Sequence, residues 1–184
     1  MSEASQRFGR LRELELLRRS AAKQFSTPSK IPFLPSPTHI VKRMLEIADV
    51  RPGEVVYDLG CGDARMLIEA ARLFDARGFG IELQQSLVNK AKKRVDELEL
   101  GERIKIMQGN LFQASLRDAD VVALYLTRDA LTRLRPILEA ELKPNARVVT
   151  HDFRIRGWKP IYVEKIGDHR IYLYKRPTLS AGKE

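Results

Sequence analysis

The sequence predicts an α/β fold: a Rossmann-like, mostly parallel sheet that closes in an antiparallel hairpin, with helices on both faces. Three observations predict it. Short apolar runs of strand length alternate with amphipathic runs of helix length from residue 55 to about 153, and strand–helix alternation implies parallel strands joined by crossover helices. The first run ends in Asp58-Leu59-Gly60-Cys61-Gly62, a tight glycine turn leading into a helix. Near the C-terminus, apolar segments at 161–166 and 171–175 flank Gly167-Asp168, which reads as a hairpin. A chain of 184 residues is long enough for one domain with a core of its own.

Taken in order, residues 4–25 place Phe8, Leu11, Leu14, Leu17 or Arg18, Ala21 and Phe25 at helical spacing among arginines. This predicts an N-terminal helix that packs on the domain edge or on a partner. A targeting peptide avoids acids, and Glu3, Glu13 and Glu15 argue against one. Residues 31–37 carry three prolines and are read as neither helix nor central strand. Ser36 is expected to cap the next helix, with Pro37 in its first position and Ile40, Val41, Met44, Leu45 and Ala48 on its buried face. Arg51-Pro52-Gly53 stops that helix. Then follow a strand at 55–57, a helix at 64–75, a strand at 78–82 and a helix at 84–99. Leu87, Val88, Ala91, Val95 and Leu98 form a sheet-facing stripe on that last helix. Strands at 103–108 and 120–125, a helix at 129–142 and a strand at 146–153 precede the hairpin. The division is thus an extension at 1–30, one domain at 31–176 and a tail at 177–184.

Composition narrows the function classes. No apolar run approaches the ~20 residues that span a bilayer, so no membrane association is expected. The single cysteine, Cys61, excludes an internal disulfide and fits a reducing, cytoplasmic compartment. Within the glycine turn it reads as a small packing residue. A net charge of +9 favours acidic partners and allows a weak nucleic-acid association, although a solvated basic face gives the same count. His39, His151 and His169 show no metal-ligand spacing, and no metal is expected.

The glycine turn carries the chemistry. Gly60 and Gly62 remove side chains that would hold a ligand away from the backbone, and N–H groups at the following helix start can meet a carboxylate. A dinucleotide site calls for a third small residue three positions beyond the second glycine, and Arg65 stands there instead. An acid two residues before the glycines, with Glu82 ending the next strand about 20 residues on, resembles the class I S-adenosylmethionine (SAM) methyltransferases.

Longer stretches sharpen the resemblance. Phe33-Leu34-Pro35-Ser36-Pro37, residues 41–48, residues 56–63, Gly109-Asn110-Leu111-Phe112, Glu141-Leu142-Lys143-Pro144 and residues 153–158 (Phe-Arg-Ile-Arg-Gly-Trp) resemble the small archaeal protein-lysine methyltransferases and their eukaryotic mitochondrial relatives. The resemblance covers roughly four fifths of the chain and omits the first 30 residues. It implies that Asp58, Gly60, Cys61 and Gly62 face the methionine half of SAM and that Glu82 holds the ribose. Asn110 and Leu111 would border the adenine, and Phe33, Pro35 and Ser36 would cross the cofactor as a lid. Asn110 can equally be a turn-forming residue.

The resemblance further implies methyl transfer to lysine side chains, with exposed lysines on several proteins as substrates and a monomeric enzyme. A lysine must lose a proton first, and its ordinary pKa lies near 10.4; an apolar, aromatic channel disfavours the charged form. Tyr125 at one strand end is expected to position the amine. His151 or Asp152 at the next would form a polar wall or proton acceptor, and Trp158 an aromatic face. Packing readings stay open for Tyr125, His151 and Trp158. No Asn/Asp-Pro-Pro-Tyr/Phe follows the fourth strand, no cysteine lies there, and no acidic cluster suits a metal-assisted catechol enzyme. RNA or small-molecule methylation remains the alternative activity, and a non-catalytic SAM- or nucleic-acid-binding module the alternative class.

Overall fold

A computed structural model describes residues 3–25 and 34–176. Among these, seven strands form one sheet in the order β3-β2-β1-β4-β5-β7-β6. β1 (Val55–Leu59), β2 (Arg77–Glu82), β3 (Ile104–Gln108), β4 (Val121–Leu124) and β5 (Arg147–His151) run parallel. β7 (His169–Lys175) inserts antiparallel between β5 and the edge strand β6 (Tyr162–Ile166). The helices are α1 (Glu3–Gln24), α2 (Thr38–Ile47), α3 (Arg65–Phe74), α4 (Gln85–Glu97) and α5 (Arg128–Glu141). The predicted architecture is present, with shifts of one to three residues at element ends; the tail at 177–184 and Phe33 lie outside the described residues.

Residues alternate between the two faces of the sheet, as a pleated strand requires. In β4, Val121 and Ala123 join the core beneath α2, α3 and α4, while Val122 and Leu124 join the core beneath α1 and α5. Ile40, Val41, Met44 and Leu45 of α2 are buried as expected, and Val88, Ala91 and Val95 carry the α4 stripe. Leu98 lies past that helix and is 39% exposed.

Two expectations need correction. Pro37, not Ser36, is the N-cap of α2, and no side chain caps that helix. Ser36 is instead turned to His151, whose Nδ1 lies 2.8 Å from its Oγ. On α1, Leu11 and Leu17 are exposed, because the helix docks through Leu14, Arg18, Ala21, Ala22 and Phe25. Arg18 Nη2 lies 2.6 Å from Glu141 Oε1 with only 12% and 7% of the two side chains exposed, and it donates to the Ala114 carbonyl at 2.8 Å. Burying that charge is tolerated because it is paired and hydrogen-bonded. α1 is therefore packed on the domain.

Candidate active site

β1 and β4 are neighbours whose following chains diverge, β1 toward β2 and β4 toward β5. The carboxyl ends of strands at such a switch point open a crevice. Gly60 (φ 88°) and Gly62 (φ 52°) take left-handed conformations there, which glycine adopts without steric cost. The N–H groups of Gly60 and Cys61 both donate to the Ile81 carbonyl, at 2.8 and 3.0 Å. Glu82 Oε2 accepts the Gly62 N–H at 3.0 Å and Oε1 accepts the Gln84 N–H at 2.9 Å, so this one carboxylate ties the glycine turn to the loop after β2. At α3, the Arg65 N–H is taken by Asp63 Oδ1 at 3.3 Å. A Cβ at position 80 would stand 2.8 Å from Cys61 Sγ, which makes the thiol a packing group. Burial, then the Asp58 charge, pushes that thiol well above its ordinary range, far from a reactive thiolate.

A cavity of about 320 Å³ opens beside this turn. Asp58, Glu82 and Asp63 line one end, and Phe25, Leu111 and Phe112 line an apolar end. Tyr125 and Phe153 face it from the ends of β4 and β5, and Leu34 to Ser36 form its rim. Burial, then the charges of Glu82 and Asp63, pushes the Asp58 carboxyl up to about 7. A buried acid facing two further acids is unfavourable alone and favours a cationic ligand. A sulfonium bearing an α-ammonium group fits that end, and a flat adenine ring fits the apolar end. Arg65 fixes the rim: its Nη1 donates to the Ser36 carbonyl at 2.9 Å, while Nη2 pairs with Asp63 at 2.8 Å.

Of the residues expected at the cofactor, Pro35, Ser36, Asp58, Gly60, Cys61, Glu82, Asn110 and Leu111 line this cavity. Gly62 stands behind it, its N–H held by Glu82. The Asn110 amide is differently engaged from the expectation: Nδ2 donates to the Ala22 carbonyl at 3.1 Å, and Oδ1 accepts the Phe112 N–H at 3.1 Å. Asn110 thus latches the C-terminal end of α1, and Phe25, 5.2 Å from Phe112 between ring centroids, enters the cavity wall.

The candidate catalytic residues separate into two groups. Tyr125 lines the cavity, and its ring lies 4.1 Å from that of His151. Burial, then the Asp152 charge, raises its phenol pKa. His151 is fully buried. Its Nε2 is 2.9 Å from His169 Nδ1 and 3.4 Å from Asp152 Oδ2, and burial holds the imidazole below its ordinary value, so it is neutral near pH 7. His151, Asp152 and Trp158 are not among the cavity residues; the Trp158 indole N–H donates to Glu139 Oε1 at 2.7 Å, and its ring packs edge-on against Tyr174. Phe153, five residues earlier in the same motif, is the aromatic residue at the cavity, with the Arg128 guanidinium 5.6 Å over its ring. Sequence reasoning missed Phe25, Arg65, Phe153 and His169. Phe25 and Phe153 each had a signal, as the last apolar position of a helix and the first residue of a motif; Arg65 and His169 had none.

The ANTKMT methyltransferase domain matches residues 58–162. A protein-lysine N-methyltransferase of Saccharolobus islandicus is 41% identical over 149 residues, covering 78% of this chain and 92% of that protein. The adenine nucleotide translocase lysine N-methyltransferase of Mus musculus is 30% identical over 156 residues, covering 83% and 68%. Among solved structures, a Salinibacter ruber protein described as an RNA methyltransferase, in complex with S-adenosyl-L-homocysteine, superposes with a TM-score of 0.77 at 42% identity over 78% of this chain and 94% of its own.

Proposed function

The chain belongs to the ANTKMT methyltransferase domain family, and from that premise we infer a SAM-dependent protein-lysine N-methyltransferase whose substrate amine enters beside Tyr125. SAM supplies a sulfonium-bound methyl carbon open to in-line displacement. The residues present have to bind it, align the amine with that carbon and exclude water. Asp58 neutralises the cationic half, Glu82 presents acceptors for the ribose hydroxyls, and Leu111, Phe112 and Phe25 offer apolar surface for the base. Leu34 to Ser36, pinned by Arg65, covers the opening. The observation that carries the reading is a single cavity with acids at one end and Tyr125 and Phe153 at the strand ends beside it.

Tyr125 orients the amine through its hydroxyl. Asp152, whose carboxylate bears on that phenol, helps set the Tyr125 hydroxyl, and the released proton passes to water at the open rim. His151, with its pKa lowered and Nδ1 facing Ser36, holds Tyr125 and the rim in place and is too weak a base to retain the proton. Trp158 packs α5 against the end of the sheet. If Tyr125→Phe, His151→Ala and Asp152→Asn all turn over normally with normal SAM affinity, this assignment is wrong.

The substrates are exposed lysines on several proteins, since no further recognition domain stands beside the site among the described residues. The protein acts in this reading as a cytoplasmic monomer, and the single thiol, buried as Cys61, supports a reducing compartment. The net charge of +9 supports weak nucleic-acid association. RNA methylation is the second reading, favoured by the description of the Salinibacter protein. The chain after β4, Tyr125-Leu126-Thr127, lacks the proline pair of amino-methylating nucleic-acid enzymes and opposes it.

A further inference from the structure

We propose that His151, Asp152 and His169 form a binding site for one divalent transition-metal ion of the zinc class, where the end of β5 meets the start of β7 beside Tyr125. Among the described residues this is the grouping of three potential ligands that comes together. His151 Nε2 and His169 Nδ1 are 2.9 Å apart, His169 Nδ1 and Asp152 Oδ2 3.3 Å, and His151 Nε2 and Asp152 Oδ2 3.4 Å. A tetrahedral zinc ion binds nitrogen and carboxylate oxygen at about 2.0–2.2 Å, which spaces its ligands about 3.3 Å apart. The three atoms already stand at one face of that tetrahedron.

Their outer contacts favour the same arrangement. A ligating histidine usually commits its other nitrogen to a fixed acceptor, and His151 Nδ1 faces Ser36 Oγ at 2.8 Å inside a fully buried ring. Asp152 Oδ1 accepts the Arg170 N–H at 2.9 Å, which leaves Oδ2 for the ion. The Asp152 backbone is left-handed (φ 60°), and its N–H donates to the Arg170 carbonyl at 2.7 Å. A left-handed aspartate whose backbone N–H and carboxylate are both bonded to Arg170 is the kind of local cost that functional positions carry. Two imidazoles and a carboxylate suit zinc, cobalt or nickel better than magnesium or calcium, and a fourth position is left to water.

The proton count balances. Each imidazole stays neutral, His151 with its hydrogen on Nδ1 toward Ser36 and His169 with its hydrogen on Nε2. The ion then meets two nitrogen lone pairs and an ionised carboxylate, and it releases no proton from them. His169 lies 18 residues from His151 and 17 from Asp152 along the chain, but β5 and β7 are adjacent and antiparallel, and the register sets His151 opposite Ile171, two residues from His169. Linear spacing therefore gave no metal signal.

The test is calorimetric titration of tag-free, metal-stripped full-length protein with ZnCl₂, together with the visible spectrum of its Co²⁺ form. One Zn²⁺ per chain with micromolar or tighter affinity and the intense bands of four-coordinate Co²⁺ are expected. His169→Ala should weaken zinc at least tenfold with an unchanged circular dichroism spectrum, while His39→Ala, on exposed α2 surface, should leave it unaltered. Absence of a stoichiometric site, equal zinc affinity in His169→Ala, or a weak six-coordinate Co²⁺ spectrum would overturn the proposal. None of these readouts uses methyl transfer, so failure here leaves the enzymatic reading standing.

Discussion

In the proposed reading, cofactor affinity turns on Asp58. Its carboxyl is pushed up to about 7 by burial and by Glu82 and Asp63, so the unliganded protein holds a proton there that an unfolded chain, with a carboxylate near 3.9, has lost. The native state then binds more protons between those values, and the group's contribution to stability, full below about 4, is lost as pH rises through about 7. Binding a cation requires the ionised form. SAM affinity measured by calorimetry should therefore rise from pH 6 to pH 8, and Asp58→Asn should flatten that dependence and weaken binding by roughly 10- to 100-fold, the scale of a charge-assisted contact at 1.5–3 kcal/mol. An unchanged pH profile in the variant would reject Asp58 as the cation's partner. Tyr125→Phe should behave in the opposite way, with turnover down by about tenfold or more and SAM affinity unaltered, because the ring stays and only the hydroxyl that orients the amine is lost.

At the scale of elements, the glycine turn and the N-terminal helix do different work. Gly80 in β2 faces Cys61, Ile106 and Leu67, and a Cβ there would approach each within 3 Å. Gly80→Ala should destabilise the protein by about 1–3 kcal/mol, as overpacking does, read as a lower midpoint in urea. α1 contributes Phe25 to the cavity through the latch from Asn110 to Ala22. Phe25→Ala is expected to raise the SAM dissociation constant several-fold while lowering stability by only about 1 kcal/mol, since the ring is only partly buried at the margin of the core; no change in SAM binding would show that the helix end is no part of the site. These elements also mark what the sequence could carry. Asp58, Gly60, Gly62 and Glu82 are legible because a strand end, a tight turn and the next strand end form a local pattern. Ser36 is not legible as a partner of His151, nor Asn110 as a latch for α1, because each bond spans dozens of residues. Trp158 is the aromatic face the sequence points to, with packing as the open alternative, yet Phe153 lines the cavity and Trp158 is bonded to Glu139.

At the scale of the whole molecule, the described residues place one transferase cavity at the switch point of a single sheet. The mostly parallel sheet with its antiparallel end was legible from strand–helix alternation and the final hairpin, whereas the insertion of β7 between β5 and β6 was not, since strand order is set by contacts far apart in the chain. The central claim is that the methyl acceptor is a protein lysine. The direct measurement is incubation of the purified protein with methyl-labelled SAM and cell extract, followed by division into protease-treated and nuclease-treated halves. Label removed by protease alone, spread over several proteins and mapped to lysine by mass spectrometry, is the expected result. Label removed by nuclease and untouched by protease would contradict the account and move the acceptor to RNA or DNA.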